Sequence, residues 1–193
     1  MTVITVAMTI EVMLSLYRLR EQGMQLPVAA VIHQGNGQGD ALLADILAGI
    51  QQQGWRVRGL LTEQGKDPRG MVPMQLRDLH SGELFVISQN LGRDARGCQL
   101  DPSGLAQASI VLRRALADKP DLVFINRFGY GESQGRGLSQ EFALLISAGI
   151  PLLTLVSDKY LEAWHAFSAG LAQTLPLERE AIERWWVSVK SKA

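Results

Sequence analysis

An apolar run, a glycine-rich break and an amphipathic helix follow one another between Pro27 and Gly49, and that order most restricts what the chain can become. Val28, Ala29, Ala30, Val31 and Ile32 form a continuous apolar run of strand length. Gly35, Gly37 and Gly39 follow at once. Leu42, Leu43, Ile46, Leu47 and Ile50 then recur at the spacing of one buried helical face. Strand, glycine loop and helix together build a cradle in which backbone N–H groups and the positive end of a helix face an anion.

The side chains that would complete such a cradle are missing. A phosphate-binding loop of the GxxxxGK[ST] type uses its lysine to reach the phosphates and its hydroxyl to hold magnesium. Aligned on Gly39, the first glycine falls on Gln34, the lysine on Asp40 and the hydroxyl on Ala41. Asp40 is the weightier change, because a carboxylate is itself the anion that a helix N-terminus favours. It is expected to cap the helix and to repel a triphosphate. A tight turn closed by an Asp N-cap, with no ligand, is the alternative reading of the same residues.

The 193 residues suit one α/β domain, and the absence of repeats, low-complexity runs and linkers agrees with that. Residues 24–193 are expected to form it, with 1–23 an N-terminal extension carrying a peripheral or poorly packed helix around Thr9 to Gln22. The apolar N-terminal run lacks a preceding positive charge and the length of a span, so it reads neither as a secretory signal nor as a membrane helix. Nineteen basic and nineteen acidic side chains cancel, leaving no overall field to attract nucleic acid or an acidic membrane. The single cysteine and three scattered histidines (His33, His80, His165) exclude a disulfide framework and show no metal-ligand spacing. A reducing, cytoplasmic setting fits this composition.

Beyond the first helix, which should end near Gly54, the pattern alternates. Trp55–Glu63 reads as a strand, and Gly65–Gly70 as a turn. Met71–Leu79 and Gly82–Ser88 read as a β-hairpin that either extends the sheet or folds over the loop. Leu91–Asp101 is a loop. Asp101 as N-cap and Pro102 at the first helical position open a helix carried by Leu105, Ala108, Ile110, Leu112 and Leu116. Asp121–Gly129 is a buried strand leading into a loop with Gly129, Gly131, Gly135 and Gly137. A helix over Leu138–Gly149 follows, then a strand over Ile150–Ser157 and a helix from Asp158, capped by that residue. A last helix carries Ile182, Trp185, Trp186 and Val189, as packing against the sheet or as a homodimer contact. Apolar strands alternating with amphipathic helices predict a mainly parallel α/β sheet flanked by helices, with the hairpin as an insertion.

Several segments together resemble one superfamily. Gly59, Leu60, Leu61, Thr62, Glu63, Arg69, Gly70, Gly82 and Glu83, in that order after the glycine loop, are similar to the P-loop nucleoside triphosphatases related to the thermophile enzyme of broad nucleotide specificity. A closer resemblance is to a bacterial family of uncharacterised proteins, often encoded beside molybdate-transport genes, that looks like a degenerate branch of those enzymes. Its marks stand here at Gly97–Asp101, Asn126–Leu138, Gly149–Val156 and the Trp164, Phe167, Gly170 cluster. The resemblance implies a P-loop-like fold. It also implies that Asn126 and Arg127 occupy the place of the Asp-Glu pair that holds magnesium and activates water. An amide supplies no negative charge to a metal, and arginine is no base at neutral pH.

These substitutions point away from magnesium-assisted hydrolysis and toward a ligand-binding protein. Its site is expected at the carboxyl edge of the sheet. Gly35, Asn36, Gly37, Gln38, Gly39 and Asp40 would meet Thr62, Glu63, Asn126, Arg127 and Glu132 there. No metal is expected. The candidate ligands are a small anion, namely molybdate or another oxyanion, and a nucleotide or other phosphate-bearing molecule; the family's genomic setting also brings in a pterin-type molybdenum cofactor. Two alternatives stay open: an active hydrolase or kinase with relocated groups such as Asp40 and Glu132, and an interaction module with no small-molecule ligand. Cys98 reads either as a thiol activated by Arg93 and Arg96 or as a small buried anchor. His33 reads as a hydrogen-bonded strand-end residue.

Overall fold

A computed structural model describes residues 14, 16–18, 20–23, 25–34, 38–64, 73–88 and 100–191. Of the expected site residues, Gly35, Asn36, Gly37 and Cys98 lie outside the described residues, as do Arg69, Gly70, Arg93 and Arg96; for Gln38 only the backbone is described.

The elements run β1 (Val28–His33), α1 (Gln38–Gln52), β2 (Val57–Gln64), β3 (Met74–Asp78), β4 (Leu84–Val86), α2 (Pro102–Asp118), β5 (Leu122–Phe128), α3 (Tyr130–Ser133), α4 (Ser139–Ser147), β6 (Leu152–Ser157), a 3-10 turn (Asp158–Tyr160), α5 (Leu161–Phe167), β7 (Gln173–Leu175) and α6 (Arg179–Lys190). They form one seven-stranded sheet ordered β4-β3-β2-β5-β6-β1-β7. The strands from β2 to β7 in that order are parallel, and β3 and β4 join antiparallel at the β2 edge. The hairpin therefore extends the sheet.

Alternation along the strands divides the core into two layers. Ala29, Val31, Leu122, Phe124, Leu153 and Leu155 pack against Leu43, Ile46, Leu47 and Ile50 of α1 and against Ile182, Trp185, Trp186 and Val189 of α6. Val28, Ala30, Val123, Ile125 and Leu152 face α2, α4 and α5. Each fully buried aliphatic side chain in these layers contributes about 1.5–3 kcal/mol, so either helical layer alone supplies several times the net stability of a domain before entropy is counted. Phe128, Phe142, Trp164 and Phe167 form an aromatic cluster on the second face, with Phe128 and Trp164 edge to face at 5.2 Å.

Four expectations are corrected or completed. The N-terminal stretch is not wholly peripheral: Leu16 is 2% exposed and belongs to the second core layer. Asp158 is not an N-cap; it lies inside the 3-10 turn, and Ser157 holds the cap position. Asp40 is the third residue of α1 rather than its cap, because the helix begins earlier, at Gln38. Strand β7 is absent from the sequence reading, since a three-residue segment with a polar and a hydroxyl residue carries no periodic signal. Asp101 does cap α2, its carboxylate accepting from Ser103 N at 2.9 Å.

Candidate functional site

The site is built where β1, β2 and β5 end. Between Ile125 and Phe128 the pairing of β5 with β6 shifts register, three steps on β5 matching two on β6 (Thr154 to Val156). This bulge changes the phase of the strand, so that Phe128 returns to the core layer of Ile125 while Asn126 and Arg127 are re-aimed at the edge. The Asn126–Arg127 peptide is cis. On the neighbouring strand, Thr62 lies two residues past the last β2–β5 pair, Leu60 with Ile125, and α1 begins at Gln38.

These elements bring together Asp40, Thr62, Asn126 and Arg127. Asn126 Nδ2 donates to Asp40 Oδ1 at 2.5 Å and to Thr62 Oγ1 at 2.6 Å. With both amide hydrogens directed there, Asn126 Oδ1 is left to accept from Arg127 Nε at 3.3 Å. Arg127 Nη2 closes the ring by donating to Asp40 Oδ2 at 3.1 Å and Oδ1 at 3.4 Å. Asn126 is buried, whereas the Arg127 side chain is 40% and that of Asp40 23% exposed. Arg127 Nη1 makes no hydrogen bond among the described residues, and the side chain as a whole is part-exposed.

His33 ends β1 beside this ring, buried, and in register with Ser157 of β6. Burial lowers its pKa from the ordinary 6.5, and the Arg127 charge lowers it further; Asp40 and Asp158 oppose this without reversing it. The imidazole is neutral at pH 7. Asp158 went unrecognised in the sequence as a neighbour of this site, and its signal was positional: a carboxylate directly past a buried parallel strand. Because the unfolded imidazole takes up its proton at a higher pH than the folded one, the unfolded state binds more protons between the two values. Unfolding free energy is therefore expected to be constant above about pH 7 and to fall on acidification through 6.5 and below. Denaturant titrations at a series of pH values check this, and His33→Gln should flatten the slope.

Two expected carboxylates do not join the ring. Glu63 pairs with Arg77 across β2 and β3, Oε2 accepting from Nε at 2.8 Å. Glu132 clasps its own loop, with Oε2 accepting from Gly129 N and Oε1 from Leu138 N, each at 3.0 Å. Gly39 faces the core, where an added Cβ would meet the Leu155 side chain at 3.1 Å and that of Leu177 at 3.4 Å. No group of three metal-ligating side chains occurs among the described residues, and none of the described helices is long and apolar enough to cross a membrane.

The chain matches the family described as "Protein of unknown function (DUF2478)" over residues 28–185. It is 42% identical, over 166 residues, to a protein of Bradyrhizobium diazoefficiens named "Molybdenum import ATP-binding protein ModC 2"; the match takes in 86% of this chain but only 18% of that longer protein. In structure it is similar to a human cancer-related nucleoside triphosphatase solved in solution, with a TM-score of 0.54 and 17% identity, covering 86% of this chain and 95% of the other. That likeness shows an α/β fold of the P-loop triphosphatase kind, and the family resemblance read from the sequence holds: this chain belongs to the DUF2478 family.

Proposed function

We propose that the protein is a non-hydrolysing ligand-binding module on a P-loop-triphosphatase-like scaffold, taking a small oxyanion or a phosphate-bearing ligand at Arg127 and serving molybdenum handling. The observation that carries this reading is the Asp40–Asn126–Arg127 ring. It holds a part-exposed guanidinium at the sheet's carboxyl edge through Nε and Nη2, with Nη1 unengaged among the described residues, and such a group suits an oxyanion. The same ring argues against hydrolysis. Asp40 stands in the lysine's place with its carboxylate engaged by Asn126 and Arg127, and Glu132 is engaged by backbone N–H groups, so neither is disposed to hold magnesium. The relative named for molybdenum import supports the choice of ligand.

A thermal-shift screen with molybdate, tungstate, phosphate, sulfate and ATP, the last with and without magnesium, tests the reading. One of these ligands should stabilise the protein by about 2.7 kcal/mol at a hundred times its Kd. For a domain of this size that is a rise in Tm of roughly 5–10 °C. Arg127→Gln should remove the shift. A flat screen, or phosphate release from magnesium-ATP that disappears in Asp40→Ala, would overturn it. A second reading, an interaction module without a small ligand, is favoured by one observation: the similar stretch is a minor part of a longer ATP-binding protein. A flat screen combined with specific binding to such an ATP-binding protein would establish that reading instead.

A further inference from the structure

The ring of Asp40, Thr62, Asn126 and Arg127 leaves hydrogen-bonding capacity of both kinds unused, donor and acceptor. Asn126 spends both amide hydrogens within it, on Asp40 Oδ1 at 2.5 Å and on Thr62 Oγ1 at 2.6 Å, and has none left for a ligand. Arg127 commits Nε to Asn126 and Nη2 to Asp40, while Nη1 is unengaged among the described residues. Thr62 Oγ1 accepts from Asn126 and donates to none of the described residues, so its own hydroxyl proton is uncommitted.

Asp40 supplies the opposite capacity. A carboxylate oxygen accepts about two hydrogen bonds, and Oδ2 takes only the one from Arg127 Nη2, at 3.1 Å. The side chains of Asp40 and Arg127 are 23% and 40% exposed, so neither is sealed from solvent. An anion drawn to the guanidinium therefore meets an acceptor as well as donors. A fully ionised tetrahedral anion brings acceptors alone, and sets lone pairs and charge against Oδ2. One that keeps a proton turns its O–H to Oδ2, a charge-assisted hydrogen bond, and its bare oxygens to Arg127 and Thr62.

We infer that the anion taken at Arg127 is one that retains a proton at neutral pH, hydrogen phosphate in preference to sulfate or molybdate, and that Asp40 is the residue that selects it. This selection rests on the anion reading at Arg127 and narrows it. Because Asp40 cancels the charge of Arg127, the pair recognises its ligand by matching donors to acceptors rather than by field strength. Sulfate has the tetrahedral shape of phosphate and lacks the proton, so the contrast between those two isolates the hydrogen bond to Oδ2. A phosphate monoester offers the same O–H only while singly ionised, and with a second pKa of about 6 it has mostly lost that proton at about pH 7.5. The free anion, which still carries a proton there, is the expected source.

Calorimetry on the full chain at about pH 7.5 and one ionic strength, with sodium phosphate, sulfate, molybdate and methyl phosphate, tests this. Phosphate should bind at least tenfold more tightly than each of the others, a difference of about 1.4 kcal/mol. In Asp40→Asn, sulfate and molybdate should gain more than phosphate does, and the preference should shrink to about threefold or less, roughly 0.7 kcal/mol. The parent protein decides the matter even if that variant does not fold. Sulfate, molybdate or methyl phosphate within tenfold of phosphate would overturn the selection by Asp40 and leave the anion reading at Arg127 standing. So would a larger preference persisting in folded Asp40→Asn. Binding of none of the four anions would overturn both.

Discussion

Gly59→Ala is expected to destabilise the fold by roughly 3–5 kcal/mol, a large share of the net stability of a single domain. Gly59 lies inside β2 with φ +122°, a backbone conformation that side chains rarely adopt. An added Cβ would stand 1.9 Å from Phe124 O and 2.9 Å from Phe124 N, backbone atoms of β5 that cannot swing aside. β2 is paired with β5 on one side and with β3 on the other, and Gly59 O also accepts from Leu79 N at 3.0 Å. Relief in either direction therefore disturbs a second pairing. Gly54→Ala is the control. That residue, past the end of α1, also has positive φ (+89°), but an added Cβ there meets nothing within 4 Å. Its cost should be only about 1 kcal/mol, from conformation alone. Denaturant midpoints of the two variants separate the effects, and equal losses would refute the close approach of β2 to β5.

The strands that support the site were legible because they are buried on both faces. Val28–Ile32, Leu122–Ile125 and Leu152–Val156 are near-continuous apolar runs, as central parallel strands require. The start of α2 was legible for a different reason: Asp101 and Pro102 each have a local function at a helix N-terminus, which needs no knowledge of the rest of the fold. The site was legible as a set of neighbourhoods, and its wiring was not. Asp40 and Arg127 stand 87 residues apart, and only the bulge in β5 determines that Arg127 meets Asp40 while Glu132, a few residues further on, turns back onto Gly129 and Leu138. Glu63 and Arg77 meet because the hairpin continues the sheet, which periodicity left undecided between two arrangements. Glu141 offered a signal that went unread. It is a carboxylate within the helical stripe of Leu138, Phe142 and Leu145, where a charge on the buried face calls for a partner.

Asp40→Asn is expected to raise the affinity for a dianionic oxyanion at Arg127 by at least tenfold. Asp40 is itself an anion at Arg127. Its carboxylate holds Asn126 Nδ2 and Arg127 Nη2, and its charge cancels that of the guanidinium an incoming oxyanion would meet. His33 adds nothing at neutral pH, because burial and Arg127 hold its pKa down. A dianion thus approaches a pair with no net charge and must also withstand the carboxylate. At an effective dielectric of 20, a unit charge about 4 Å from another contributes roughly 4 kcal/mol, so relief of even a third of one such repulsion exceeds the 1.4 kcal/mol of a tenfold change. Asparagine keeps an oxygen for Asn126 Nδ2 and removes the charge, leaving Arg127 uncompensated. Calorimetry with molybdate and phosphate at fixed ionic strength measures the change, with Arg127→Gln and the double variant completing the cycle. The gain should vanish when Arg127 is absent, because it arises from freeing that guanidinium. Equal affinities for the parent and Asp40→Asn, with binding still lost in Arg127→Gln, would mean that the ligand and Asp40 occupy different sides of Arg127. The carboxylate would then be a fixed support of the arginine and no competitor for it.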